Sequence, residues 1–169
     1  MENGGKRQFD FVAVGEIVTD AFIRLKNAEL HCKVNQEECQ ICMDFGAKIP
    51  FESVTVVPAV GNSPNAAVAA ARLGLQTALV TDLGVDYHGD EAIATLNKEK
   101  VDTRFVHRHE GKNTNYHYGL WFQDDRTILI KHEEYPYTLP DLGRPKWIYL
   151  SSLGEHSLAY HEMIEKYLQ

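Results

Sequence analysis

The stretch Val60-Gly61-Asn62-Ser63-Pro64-Asn65, followed by an alanine-rich run to Leu73 and then Gly74, constrains this chain most. Small side chains let a helix lie close against a sheet. Ser63 suits the N-cap, where its hydroxyl accepts an orphan backbone N–H, and Pro64 suits the first helical position, where a missing N–H costs nothing. Gly74 stands where a helix ends in a left-handed cap. Gly61 opens the backbone ahead of that helix to a ligand, with no side chain in the way. Asn62 and Asn65 each carry a donor and an acceptor, which matches a polyhydroxylated molecule whose hydroxyls are both. The same residues also serve as the start of a helix in any α/β protein, where Asn and Gly are turn formers.

The flanking sequence predicts alternating strands and helices. Phe9 to Val18 reads as one buried strand, with Asp20 just beyond its C-terminal end. Lys26 to about Pro50 is polar and reads as irregular. Ser53 to Val60 predicts a strand that Pro58 confines to an edge or ends. Gln76 to Asp82 predicts a strand and about Asp90 to Lys100 a helix. Arg104 to His109, Thr114 to Phe122 and Arg126 to Lys131 predict strands, the last two joined by the Gln123-Asp124-Asp125 turn. Trp147 to Leu150 predicts a short buried strand, and His156 to Leu168 a helix with Leu158, Met163, Ile164, Tyr167 and Leu168 as its apolar positions. Such alternation argues an α/β fold with a largely parallel sheet.

Taken in order, these segments resemble the PfkB (ribokinase-like) carbohydrate kinases from Phe9 to the end of the chain. Val60 to Gly74 is similar to that family's first signature, a Gly-rich turn followed by Asn, a small-residue helix and Leu-Gly. Many members have Gly-Gly where this chain has Val60-Gly61. Gly84-Val85-Asp86-Tyr87-His88-Gly89 resembles the family's Gly-x-Asp-x-x-Gly segment, and Trp147 to Ser152 the strand that ends beside the sugar pocket. The resemblance implies a partial ribokinase-like fold: a mostly parallel sheet flanked by helices, with a small β lid at about 26–60, in one truncated kinase domain spanning 1–169. It implies that Asp20 accepts hydrogen bonds from sugar hydroxyls, which are strong because the carboxylate is charged. Gly61, Asn62 and Asn65 would complete the grip, with Ser152 a further pocket residue at a strand's C-terminal end. Asp86 is read as stabilising a turn or the start of the next helix.

The family's later motifs have no match downstream of the Val60–Gly74 signature. An Asn-x-x-Glu segment that helps with metal and a Gly-Ala-Gly-Asp turn that supplies anion hole and catalytic base are both lacking there, so no catalytic residue is assigned. Phosphoryl transfer is mostly positioning and electrostatic stabilisation, so a chain without these groups is expected to be inactive alone. The complete kinase would use ATP and Mg2+, and this chain by itself neither. The rival expectation is a non-catalytic sugar-binding or dimerising half-domain. Its partners would be a sugar or nucleoside, and a second copy through the lid or a C-terminal half. No Gly-x-Gly-x-x-Gly follows the first strand, which argues against dinucleotide binding.

Net charge is -7, and an acidic surface repels nucleic-acid phosphates, so nucleic-acid binding is not expected. No apolar run approaches the ~20 residues that cross a bilayer, and Met1 to Gln8 lacks the apolar core of a signal peptide. A cytoplasmic protein is expected, and its three cysteines then need no disulfide. His31, Cys32, Cys39 and Cys42 form a candidate Cys3His zinc set. The other histidines show no ligand spacing and are expected to be mostly solvated.

Overall fold

A computed structural model describes residues 9–33 and 38–169, and among these ten strands and three helices form; seven of the strands and the three helices fall in the expected order, and three further strands appear between residues 18 and 42. The polar N-terminal stretch 1–8 lies outside the described residues. The chain divides into two units. One is built from the residues up to Thr19, 58–115 and 132–169, the other from 20–57 and 116–131.

The first unit holds a four-stranded sheet of β1 (Phe11–Val14), β6 (Thr77–Gly84), β7 (Val106–His109) and β10 (Trp147–Leu150), in the order β10-β1-β6-β7. All its pairings are parallel, with Phe11 opposite Trp147 on one side and Thr77 on the other. A parallel sheet needs cover on both faces, and the alternation of side chains supplies it. Ala13, Leu79 and Leu83 pack with Ala67 of helix α1 (Asn62–Arg72) and with Ala92 and Leu96 of α2 (Tyr87–Lys98). Val12, Val14, Ala78 and Val80 face the other way and pack with Tyr160 and Ile164 of α3 (Leu158–Leu168). Burying one such leucine, isoleucine or valine stabilises the fold by about 1.5–3 kcal/mol.

The Phe9 to Val18 strand divides in two. Gly15 and Glu16 leave β1, their amides donating to Val80 O and Ser152 O at 3.2 Å, and a new strand β2 (Val18–Leu25) begins in another sheet. A Cβ on Gly15 would stand 2.5 Å from both Ser63 Oγ and Ser151 Oγ, so the break sits where a bare backbone is needed. Asp20 is thus the third residue of β2 rather than a loop residue. In α3, Tyr160 and Ile164, four residues apart, form the buried stripe, whereas Leu158, Met163 and Leu168 are exposed. β10 is exposed too, Trp147 at 71%, because it is the sheet's edge strand.

The second unit holds the order β5-β2-β8-β9, with β5 (Phe51–Val60), β8 (Tyr116–Phe122) and β9 (Asp125–Leu129). β5 carries Pro58 and lies at the edge, where a missing N–H is tolerated. β8 and β9 form the expected antiparallel hairpin. The segment read as irregular contains a separate antiparallel pair, β3 (Glu29–Cys32) and β4 (Cys39–Cys42).

In that pair Cys32 stands directly opposite Cys39, and the two are joined by a disulfide. This overturns both cysteine expectations. A disulfide sulfur offers zinc no thiolate, and among the described residues no group of three His, Cys, Asp or Glu side chains is placed to hold a metal ion. Cys42 keeps a free thiol. A two-stranded hairpin is marginal in water, so the covalent link carries much of its stability. Closing so short a loop is worth about 2.5 kcal/mol in the chain-entropy account. Cys32→Ser is expected to bring fast amide hydrogen exchange across β3 and β4 while β1 and β6 keep their protection; equal protection in the variant would contradict this.

Candidate functional site

Helix α1 begins two residues earlier than the serine cap predicts. Gly61 is the N-cap, at φ 122°, and a Cβ there would lie 3.0 Å from Glu16 O. That backbone region belongs to glycine. Ser63 therefore sits inside the first turn and is fully buried, its hydroxyl donating to Val14 O at 2.8 Å and standing 2.6 Å from Ser151 Oγ. These contacts fasten the helix start to the C-terminal ends of β1 and β10. Asn62 projects from the same turn, and its Nδ2 reaches Ser152 Oγ at 3.5 Å. The Asn65 amide N–H closes the first turn on Gly61 O, and its side chain is exposed. Gly61, Asn62, Asn65 and Ser152 thus all lie at the carboxyl edge of a parallel sheet, where open α/β folds bind ligands.

Two buried carboxylates join that edge, and sequence reasoning passed over both. Glu16 follows β1; its Oε2 is 2.7 Å from His132 Nδ1, and Tyr137 OH donates to its Oε1 at 3.4 Å. Burial raises the Glu16 carboxyl above its usual range, against the pull of His132 and Tyr137. Burial and the Glu16 charge push the Tyr137 hydroxyl up to about 12, so it stays a donor. Asp82, on β6, has Oδ1 2.7 Å from His109 Nε2 and 3.7 Å from His107 Nδ1. Burial raises its carboxyl too, with His109 opposing. Tyr135 packs its ring on His109 with centroids 5.2 Å apart. The histidines expected to be solvated are here partners of carboxylates. The signal was the period of two in β6 and β7, which puts Asp82 beside His107 and His109.

Asp86 does what the sequence reading assigned to it. It is the N-cap of α2, its Oδ1 accepting from Gly89 N at 2.8 Å. The same carboxylate accepts from Thr114 N at 2.8 Å and Thr114 Oγ1 at 2.6 Å, tying the helix start to the segment before β8.

Asp20 belongs to the other unit. Its neighbour on β8 is His117, whose Nδ1 lies 3.6 Å from Asp20 Oδ1; the two side chains are 12% and 19% exposed for His117 and Asp20. Along the same strands Phe22 lies over Gly119, and the Arg24 guanidinium lies 5.4 Å from the centre of the Trp121 ring. Burial raises the Asp20 carboxyl, and the His117 charge works against that rise. An acceptor-only carboxylate, mostly withdrawn from water, suits a ligand that brings hydroxyl donors.

An Asn-bearing turn at the carboxyl edge of a parallel sheet stands where open α/β folds bind small molecules. The model of the pfkB family carbohydrate kinases matches residues 27–159, and the chain belongs to that family. A protein of Pyrococcus horikoshii described as a sugar kinase is 42% identical over 55 residues, 32% of this chain and 18% of that protein. Among solved structures, ribokinase from Cryptococcus neoformans var. grubii serotype A in complex with ADP superposes with a TM-score of 0.65 at 20% identity, covering 89% of this chain and 43% of that one. Arabidopsis thaliana ribokinase complexed with ribose and ATP gives 0.58 at 21% identity, covering 73% and 36%. These likenesses establish the ribokinase-like fold, and the chain spans less than half the length of each of these relatives. No helix among the described residues is long and apolar enough to cross a membrane.

Proposed function

We propose that this chain supplies the acceptor-binding part of an ATP-dependent sugar or nucleoside kinase. In this reading Asp20 accepts hydrogen bonds from acceptor hydroxyls, and Gly61, Asn62, Asn65 and Ser152 complete the grip. The observation that carries it is the Asn62–Ser152 contact at the carboxyl edge of the sheet, found in a chain of the carbohydrate kinase family. The described residues do not form a cage for Mg2+, and the 169 residues contain no Gly-Ala-Gly-Asp. No step is therefore routed through ATP or its metal, and these residues alone are proposed not to transfer phosphate. A cytoplasmic location goes with this reading.

Association is the second part of the proposal, through the lid-like sheet or with a polypeptide carrying the transfer groups. Exposed Phe51, Val54, Val56 and Leu129 on the former support it, as does exposed Trp147 on edge strand β10. Sedimentation of the purified chain tests it: a monomer at every concentration would count against it.

The binding claim is tested by calorimetric titration with D-ribose, D-fructose and adenosine. Asp20→Asn is expected to weaken the best of these about 10- to 100-fold, the worth of one charge-assisted contact. Unchanged affinity would remove Asp20 from the site, and ATP turnover above a blank would overturn the proposed inactivity.

A further inference from the structure

We propose that the Cys32–Cys39 disulfide is a redox latch: exchange with a small thiol opens the β3–β4 hairpin and the cleft it walls, and re-oxidation closes both. The latch goes beyond the acceptor reading and is independent of it. Both half-cystines are exposed, so a thiolate from solvent has access to either sulfur. Exposed disulfides are the ones that exchange readily with a surrounding thiol pool.

What the latch holds is a self-contained element. β3 and β4 form a two-stranded sheet of their own, joined to no other strand among the described residues. Among those residues the ion pairs of the hairpin, His31 with Glu29 and Lys33 with Glu38, run within it. Such an element gains little from its own ladder, so its order depends on the covalent link. Losing the link is a local event, because the two four-stranded sheets keep their own pairings.

The register decides what moves. Leu30 stands opposite Ile41 and Cys32 opposite Cys39, and the period of two puts these four side chains on one face. Leu30, Cys39 and Ile41 of that face line a cleft of about 270 Å3 together with Leu120 and Phe122 of β8. When β3 and β4 part, Leu30 and Ile41 leave the wall of this cleft. The third cysteine is kept out of the exchange. Cys42 stands opposite Glu29 on the other face of the hairpin, and with His31 it lines a separate cavity. While β4 is a strand its thiol points away from Cys39, so the latch does not scramble to a Cys39–Cys42 pair.

Opening consumes two equivalents of thiol. The first thiolate attacks one cystine sulfur, forming a mixed disulfide and breaking the Cys32–Cys39 bond, and the released thiolate takes up a proton. The second attacks the mixed disulfide, frees the remaining cysteine and leaves joined to the first as an oxidised dimer. The same oxidised dimer is the oxidant for closure.

The test equilibrates the full chain in buffers of reduced and oxidised glutathione at varied ratio, counts thiols by alkylation and mass, and follows amide hydrogen exchange. The expected result is a reversible transition in which alkylated cysteines rise from Cys42 alone to all three. In the open form the β3 and β4 amides should exchange about 50- to 100-fold faster, the worth of so short a loop closure, while β1 and β6 are unchanged. Return to oxidised glutathione should restore the Cys32–Cys39 pair by peptide mapping, and Cys42→Ser should pass through the same transition. A disulfide that survives every glutathione ratio and opens only with dithiothreitol would overturn the latch. So would an opened disulfide with unchanged exchange in β3 and β4, or re-oxidation to a Cys39–Cys42 pair.

Discussion

Replacing Asp86 by alanine is expected to lower stability by about 3 kcal/mol, seen as a shift of the urea midpoint without a change in slope. Its carboxylate caps α2 through Gly89 N and accepts both the backbone N–H and the hydroxyl of Thr114. Loss of an N-cap costs about 1 kcal/mol. An N–H left without an acceptor away from water costs roughly 1–3 kcal/mol more. Burial acts to raise the Asp86 carboxyl, but the hydrogen bonds from Thr114 and Gly89 together outweigh it and hold it below the ordinary 3.8. A depressed carboxyl stabilises the fold fully above its unfolded value and ceases to do so as pH falls through its folded one. The alanine chain should accordingly lose part of the parent's acid sensitivity. Asp86→Asn separates the two roles, because one amide oxygen can serve Gly89 while its NH2 opposes the Thr114 N–H. It should fall between parent and alanine. A loss under about 1 kcal/mol for alanine would show that water replaces these bonds.

The second large effect is expected at Gly84, where β6 ends. A Cβ there would collide with Lys112 O and stand 2.7 Å from Asn113 C and Thr114 N. All three are backbone atoms, so no rotamer change relieves them. Overpacking of this kind costs about 3–5 kcal/mol, a large share of a domain's ~5–15. Gly84→Ala should therefore yield little folded protein or a strongly lowered melting temperature. Gly74→Ala is the control: Gly74 sits at φ 91° with open space around its α-carbon, and alanine there pays backbone strain alone, about 1–2 kcal/mol. Equal losses in the two variants would mean that strain, and not the collision, governs both.

The elements easiest to read in the sequence were those whose local chemistry agrees with their environment. Gly74 ends α1, where its own N–H bonds Ala71 O and that of Leu75 bonds Ala70 O. Trp147 to Leu150 was placed to the residue. The failures have specific causes. Phe9 to Val18 is apolar throughout, so nothing in its hydropathy marks the break at Gly15; a contact with Ser63 and Ser151, distant in sequence, does. Ser63 has the chemistry of a cap, but tertiary partners claim its hydroxyl and Gly61 takes the cap position. The cysteines were grouped by the Cys39-x-x-Cys42 spacing, whereas the hairpin register pairs Cys39 with Cys32. In α3 hydrophobicity pointed to Leu158, Met163, Ile164, Tyr167 and Leu168; Ile164 and Tyr167 do pack on the core, but Leu158, Met163 and Leu168 are exposed and Tyr160 shares the buried face. Of the proposed site, the amide-bearing turn was legible because its residues adjoin in sequence. The histidines beside Glu16, Asp20 and Asp82 were not, since each pair joins residues far apart along the chain.

The exposed edge strand has a practical consequence. Trp147 on β10 is 71% exposed in one unit, while Trp121 in the other is 40% exposed beneath the Arg24 guanidinium, and these are the chain's two tryptophans. Each unit thus carries its own intrinsic fluorophore. Replacing either indole by phenylalanine leaves a single emitter, so docking at the sheet edge and rearrangement of the lid-like sheet become separately visible in the emission colour and quenching of one sample.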